Sequence, residues 1–163
     1  MSKFIEGLAI LEKSFGHNKD NIVNIATIDL EPGELGQPRP AVRSVDAYYE
    51  DGTFYIITNA KSNKIQQVEK NDEVSLSATF EDSDGQVWLT SRAKGENLGH
   101  VLKPENAYIR KKLRSAFAVW YDAVNNEQDP HCCFMAVHLT HGIINVNHFT
   151  TLYHMDFVGK TAE

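Results

Sequence analysis

A chain of 163 residues, 42% hydrophobic and 23% charged, has the length and balance of one globular domain with a sizeable core. Its formal charge of −6, from 22 acidic and 16 basic side chains, argues against non-specific nucleic-acid binding as its main task. No window approaches the ~18 uncharged apolar residues of a membrane span, and Met1–Phe4 opens no long apolar run, so a soluble, cytoplasmic protein without a signal peptide is expected.

The elements follow in chain order. Phe4, Leu8, Leu11 and Phe15 recur at helical spacing, with Ser2 placed to cap the start and Gly16 to end the helix in a left-handed conformation. Asn21 to Leu30 is rich in β-branched residues and reads as a first strand. A proline- and glycine-broken loop over 31–38 leads to a second strand from Arg39 to about Tyr49. Asp51-Gly52 then turns the chain into a third strand over Phe54–Asn59. A short helix over Lys61–Lys70 places Ile65 and Val68 inward. Val74, Leu76, Ala78 and Phe80 alternate with Ser75, Ser77 and Thr79, the period of a strand with one buried face. After the turn Glu81–Gly85, a partner strand runs from Gln86 to Ala93 or Glu96. A longer helix starts at Pro104 and shows one face through Ile109, Leu113, Ala116, Phe117, Trp120 and Val124. Met135, Val137 and Leu139 alternate in a further strand, which Gly142 is expected to break, with Ile143–Phe149 pairing back. A last short strand falls at 152–157. The sum is a mainly β (α+β) domain: six to eight antiparallel strands in a barrel or sandwich, with two or three peripheral helices.

One stretch concentrates chemistry. Arg43 lies within the second strand, and Lys61, Ser62, Asn63 and Lys64 gather where the third strand meets the helix. A phosphate monoester needs rigid, charge-assisted donors. An arginine fork, ammonium groups, a hydroxyl and unpaired amides at a helix start supply them. Surface ion pairing is the competing reading of the same residues.

These features, in this order, resemble the FMN-binding split β-barrels related to pyridoxamine 5′-phosphate oxidase. The resemblance is carried by Arg43-Ser44-Val45, by Tyr55-Ile56-Ile57-Thr58-Asn59, by Ser62 and Lys64 at the family's spacing, and by Gln86-Val87-Trp88-Leu89. It spans roughly residues 20–100 and returns loosely at 134–149. It implies a split barrel in which Arg43 and Lys64, helped by Ser62 and Lys61, hold the FMN phosphate. Backbone at Ser44 and Val45 would line the flavin ring, Thr58 and Asn59 would contact its side or the ribityl chain, and Gln86 would bond its polar edge. It implies an oxidoreductase passing hydride at flavin N5 to or from a small-molecule substrate, with the pocket shared between the subunits of a homodimer. A split barrel that holds flavin or haem without turnover is the alternative. Asn63 replaces the arginine that oxidases of the family carry beside the helix lysine, and a lysine late in the second strand is missing. No C-terminal tryptophan and arginine pair is evident in Val146–Phe157. These departures point away from pyridoxamine phosphate as substrate and toward the small, general stress protein-like members.

Seven histidines show no strong metal-ligand spacing and read as structural or surface groups. The two cysteines, Cys132 and Cys133, are neighbours with Cα atoms ~3.8 Å apart, short of the ~4.4–6.8 Å usual in a disulfide, and read as buried thiols. Trp88, Trp120 and Tyr121 read as core or dimer contacts, and the basic run Arg110–Arg114 as a solvated helix face.

Overall fold

The computed structural model describes residues 1–163 except 32, 34 and 35, so part of the 31–38 loop lies outside the described residues. Helix α1 (Lys3–Phe15) precedes strands β1 (Asn21–Asp29), β2 (Arg39–Glu50) and β3 (Thr53–Asn59). Helix α2 (Asn63–Lys70) leads to β4 (Glu73–Asp82) and the 16-residue β5 (Gly85–His100). A 3₁₀ turn (Pro104–Asn106), α3 (Ala107–Ala116) and α4 (Tyr121–Val124) follow. The chain closes with β6 (Cys132–Val146), β7 (Thr151–Asp156) and β8 (Thr161–Ala162). The strands form one antiparallel sheet in the order β3-β2-β1-β4-β5-β6-β7-β8, and a further β3–β6 pairing closes six of them into a ring. The mainly β split-barrel expectation is met, with four α-helices among the described residues rather than two or three.

Strand β6 decides the architecture. It pairs along its length with β5, while Cys132–His138 pairs with β3 and His141–Val146 with β7. Six consecutive residues, Cys132 to Val137, are buried, because both faces of this strand are covered. Cys133, Met135 and Val137 point into the barrel core with Val23, Ile25, Phe54, Leu76 and Leu89. Cys132 and Phe134 point outward into a second core with Leu113, Phe117 and Tyr121. The alternation read from Met135, Val137 and Leu139 saw only the inner face. Gly142 does not break the strand: β6 runs through it. An added Cβ there would lie 3.2 Å from the Thr90 carbonyl oxygen and 3.3 Å from the Ser91 Cβ, so the glycine permits close β5–β6 approach.

Other boundaries move for local reasons. Ser2 caps α1, its hydroxyl accepting the Ile5 N–H at 3.4 Å. Gly16 is extended (φ −79°, ψ −152°), and the left-handed residues are instead His17 and Asn18. Asp51 and Gly52 take the positive φ values, 45° and 76°, of a tight hairpin turn. The acidic turn shrinks to Ser83-Asp84 as β4 and β5 extend to meet it. The predicted 104–124 helix is broken over 117–120. There the Phe117 and Trp120 rings stack at 4.6 Å and the Trp120 indole donates to Asp20 at 2.7 Å. The break rotates Val124 off the inner face, leaving it 70% exposed.

The basic run is not simply solvated. Arg110 donates twice to Glu127, at 2.9 and 2.6 Å, and Arg114 reaches the same carboxylate at 3.2 Å. The Tyr121 hydroxyl donates to it at 3.0 Å, so Glu127 ties α3 and α4 to the loop before β6. The Arg110 bonds, ahead of opposing desolvation, bring the Glu127 carboxyl down to about 2. A carboxyl depressed on folding contributes stability that is full above its unfolded value and lost as pH falls through the folded one. Acid titrations of Glu127→Gln should therefore lose an increment on the order of 1–3 kcal/mol that the parent chain gives up between roughly pH 4.5 and pH 2. Parallel acid-unfolding curves for the two proteins would refute the clamp.

Candidate anion site at the start of α2

Register places Arg43. It pairs with Ile25 on β1, whose other neighbour is Leu76 of β4, and directly paired residues share a side of the sheet. Ile25 and Leu76 are core residues, so the Arg43 side chain leaves β2 on the inner side, as Val45 does opposite buried Val23. The Arg43 guanidinium donates to the Thr27 hydroxyl at 2.6 Å and to the Gln67 side-chain oxygen at 3.0 Å. Thr27 is fully buried, and its own hydroxyl donates to the same Gln67 oxygen.

Lys64 lies one helical turn before Gln67, so both face the same way from α2. Burial lowers the Lys64 ammonium from its ordinary value, and the Arg43 charge lowers it further. Burial likewise lowers Arg43. Among the described residues, neither cation has a carboxylate in salt-bridge reach, whereas Arg39, Arg110 and Arg114 all do. Two half-buried, mutually repelling cations without a counter-charge destabilise the empty site and favour an anion.

The route by which they meet differs from the one the hairpin suggests. β2 and β3 pair only at Tyr48–Glu50 with Thr53–Tyr55, then part. Arg43 and Lys64 converge because α2 lies across β1 and β5. Gly95 seats that helix: an added Cβ would meet both Val68 methyls and a Val74 methyl at 2.9 Å.

The other expected site residues divide. Ser62 is the N-cap of α2, so the helix is two residues shorter than predicted and Lys61 lies outside it, exposed. The Ser62 hydroxyl makes no capping bond and stands 3.5 Å from that of Thr58. Asn59 is engaged with Asp129 at 3.2 Å and with the Lys61 N–H at 2.9 Å. Ser44 points to the opposite side of β2 from Arg43 and donates to Asn24 at 2.8 Å. Gln86 does not join the cluster. It sits at the β4–β5 hairpin, five residues along β5 from Ser91, which is about 17 Å from the Arg43 row. Its side-chain oxygen is buried without a partner. Thr27 and Gln67 were not singled out from sequence: a threonine in a β-branched run and a glutamine on a polar helix carry no local signal.

A small cleft of about 100 Å³ lined by Asp29, Glu31, Asn63, Gln66, Gln67 and Lys70 runs beside the cluster. A roomier groove, about 600 Å³, lies on β5–β8 between Arg92, His141, His154 and Asp156. That groove is the roomier of the two, whereas the start of α2 gathers two half-buried cations, Arg43 and Lys64. Two of the histidines are engaged: His138 bonds Thr53 at 3.1 Å and Glu96 at 2.8 Å, and His100 meets the Asp129 carbonyl at 3.0 Å. Both cysteines are buried, and burial pushes the Cys133 thiol up to about 11. No helix is long and apolar enough to cross a membrane among the described residues.

Known proteins share this fold. A pyridoxine/pyridoxamine 5′-phosphate oxidase from Shewanella woodyi is 32% identical over 98 residues, which cover 60% of this chain and 42% of the oxidase. A solved structure from Clostridium acetobutylicum, related to general stress protein 26 of B. subtilis and described as of the pyridoxinephosphate oxidase family, superposes with a TM-score of 0.60 at 17% identity. It covers 98% of this chain and 99% of its own. This chain has the split-barrel fold of the pyridoxamine 5′-phosphate oxidase-like proteins. A haem-binding protein from Mycobacterium smegmatis shares the split barrel too, with a TM-score of 0.61 at 14% identity over 85% of this chain and 54% of its own. No family model matches the sequence. The sequence match spans less than half of the Shewanella oxidase, and at 17% and 14% identity the two solved structures speak for the fold alone.

Proposed function

We propose that this split barrel is a cytoplasmic, FMN-dependent oxidoreductase of the pyridoxamine 5′-phosphate oxidase-like group, acting on a small-molecule substrate as a homodimer. The observation that carries the reading is the half-buried pair Arg43 and Lys64, which no described carboxylate neutralises. The residues present fit a phosphate dianion: a guanidinium, an ammonium, the uncommitted Ser62 hydroxyl and the first amides of α2, with exposed Lys61 adding charge at the rim.

In this reading Arg43 and Lys64 bind the phosphate and fix the nucleotide's register. Thr58 and Asn59 line the ribityl side, and the backbone of Ser44 and Val45 flanks the ring. FMN, when bound, supplies two-electron redox chemistry through its ring. Gln86, about 17 Å along β5 from the Arg43 row, would meet the ring end of the nucleotide or, across a dimer interface, the flavin of a second subunit. Ile22, Val42, Ile143 and Leu152, exposed on the outer sheet face, suit such an interface.

Absorbance of the purified protein, followed by ligand release and mass determination, tests the reading. Flavin bands and the mass of FMN are expected, with turnover on addition of a nicotinamide donor. A Soret band and a haem mass would favour the haem-binding alternative that the M. smegmatis structure raises. Bound flavin without turnover would leave a binding protein, and a colourless protein that takes up no FMN would overturn the reading.

A further inference from the structure

We propose that Gln67 is a positioning residue of the anion site, fixing the Arg43 fork without cancelling its charge; this rests on the phosphate reading above. Two donors, the Arg43 guanidinium at 3.0 Å and the Thr27 hydroxyl, converge on one side-chain atom of Gln67. That atom must therefore be the carboxamide oxygen, which turns the Nε2 amide away from both. Among the described residues Nε2 has no protein partner.

The chemistry of the holder distinguishes Arg43 from the three arginines that carboxylates hold. Arg39, Arg110 and Arg114 are held by carboxylates, which fix a guanidinium and neutralise it together. Arg43 is oriented by a hydroxyl and a carboxamide, both neutral. Two of its five N–H donors are used in positioning, and the remaining donors and its full charge are left for a ligand. A glutamate at position 67 would accept the same two hydrogen bonds. It would also place a negative charge against Arg43 and one helical turn from Lys64.

Gln67→Glu therefore separates charge from geometry. Fluorescence titration with FMN and with riboflavin, alongside thermal unfolding, provides the readout. The expected result is an FMN affinity lower by about tenfold or more, a riboflavin affinity unchanged within about twofold, and an unfolding temperature equal to or above that of the parent chain. Gln67→Leu, which frees the Arg43 fork, should also weaken FMN binding but lower the unfolding temperature. A Gln67→Glu protein that keeps FMN affinity within about twofold overturns the inference, as does one that loses FMN and riboflavin in equal proportion. A parent chain that prefers FMN to riboflavin by no measurable margin overturns the phosphate reading itself, and this inference with it.

Discussion

Arg43→Ala should weaken FMN binding by roughly 30- to 150-fold, the loss of one charge-assisted contact of ~2–3 kcal/mol. The size follows from what remains. Lys64 would still stand at the start of α2, and Thr27 would still bond Gln67, so helix and strand keep their link. What disappears is the guanidinium, with its charge and its bonds to Thr27 and Gln67. Folding stability should change little by comparison, because removing a half-buried, unneutralised cation relieves repulsion on Lys64 while two hydrogen bonds are lost. Arg43→Lys should recover only part of the affinity, since an ammonium cannot satisfy Thr27, Gln67 and a phosphate in one plane. Isothermal titration with FMN and riboflavin measures both effects. If FMN affinity survived the alanine change, Arg43 would be no more than a strut between β1 and α2.

The largest effect on stability is expected at Phe134. Its ring is fully buried on the outer side of β6, packed with Leu113, Phe117 and Tyr121 beneath α3. Phe134→Ala should cost ~3–5 kcal/mol, since the site is walled by strand on one side and helix on the other and cannot collapse freely. For a chain of this length that corresponds to an unfolding temperature lower by roughly 8–15 °C. The damage should concentrate in α3 and α4, whose amides would lose hydrogen-exchange protection first, because the barrel core on the inner side of β6 is untouched. A loss below about 1 kcal/mol would mean that the second core contributes little to folding.

The sequence carried most of the elements, because each leaves a local trace. Strand periodicity marked β4, the Asp51-Gly52 pair marked its hairpin, and Pro104 marked a helix start. The errors fall where two partners act on one segment. β6 is buried on both faces, but the alternation of Met135, Val137 and Leu139 marks only one of them, and nothing in that run says that it pairs with three strands. The helix after Pro104 keeps its apolar period through Val124, yet the chain turns over 117–120, where the Trp120 ring meets Asp20, 100 residues away in sequence.

The site divides along the same line. Arg43, Ser62 and Lys64 were legible because charged and polar groups stood out beside a strand end and a helix start. That Arg43 turns inward, that Thr27 and Gln67 hold it, and that Ser44 and Gln86 stand apart from it depended on register and on the path of α2 over β1. Residue chemistry is written locally and survives in one dimension. Convergence is a property of long-range pairing, which a closed barrel imposes only when β6 returns to meet β3.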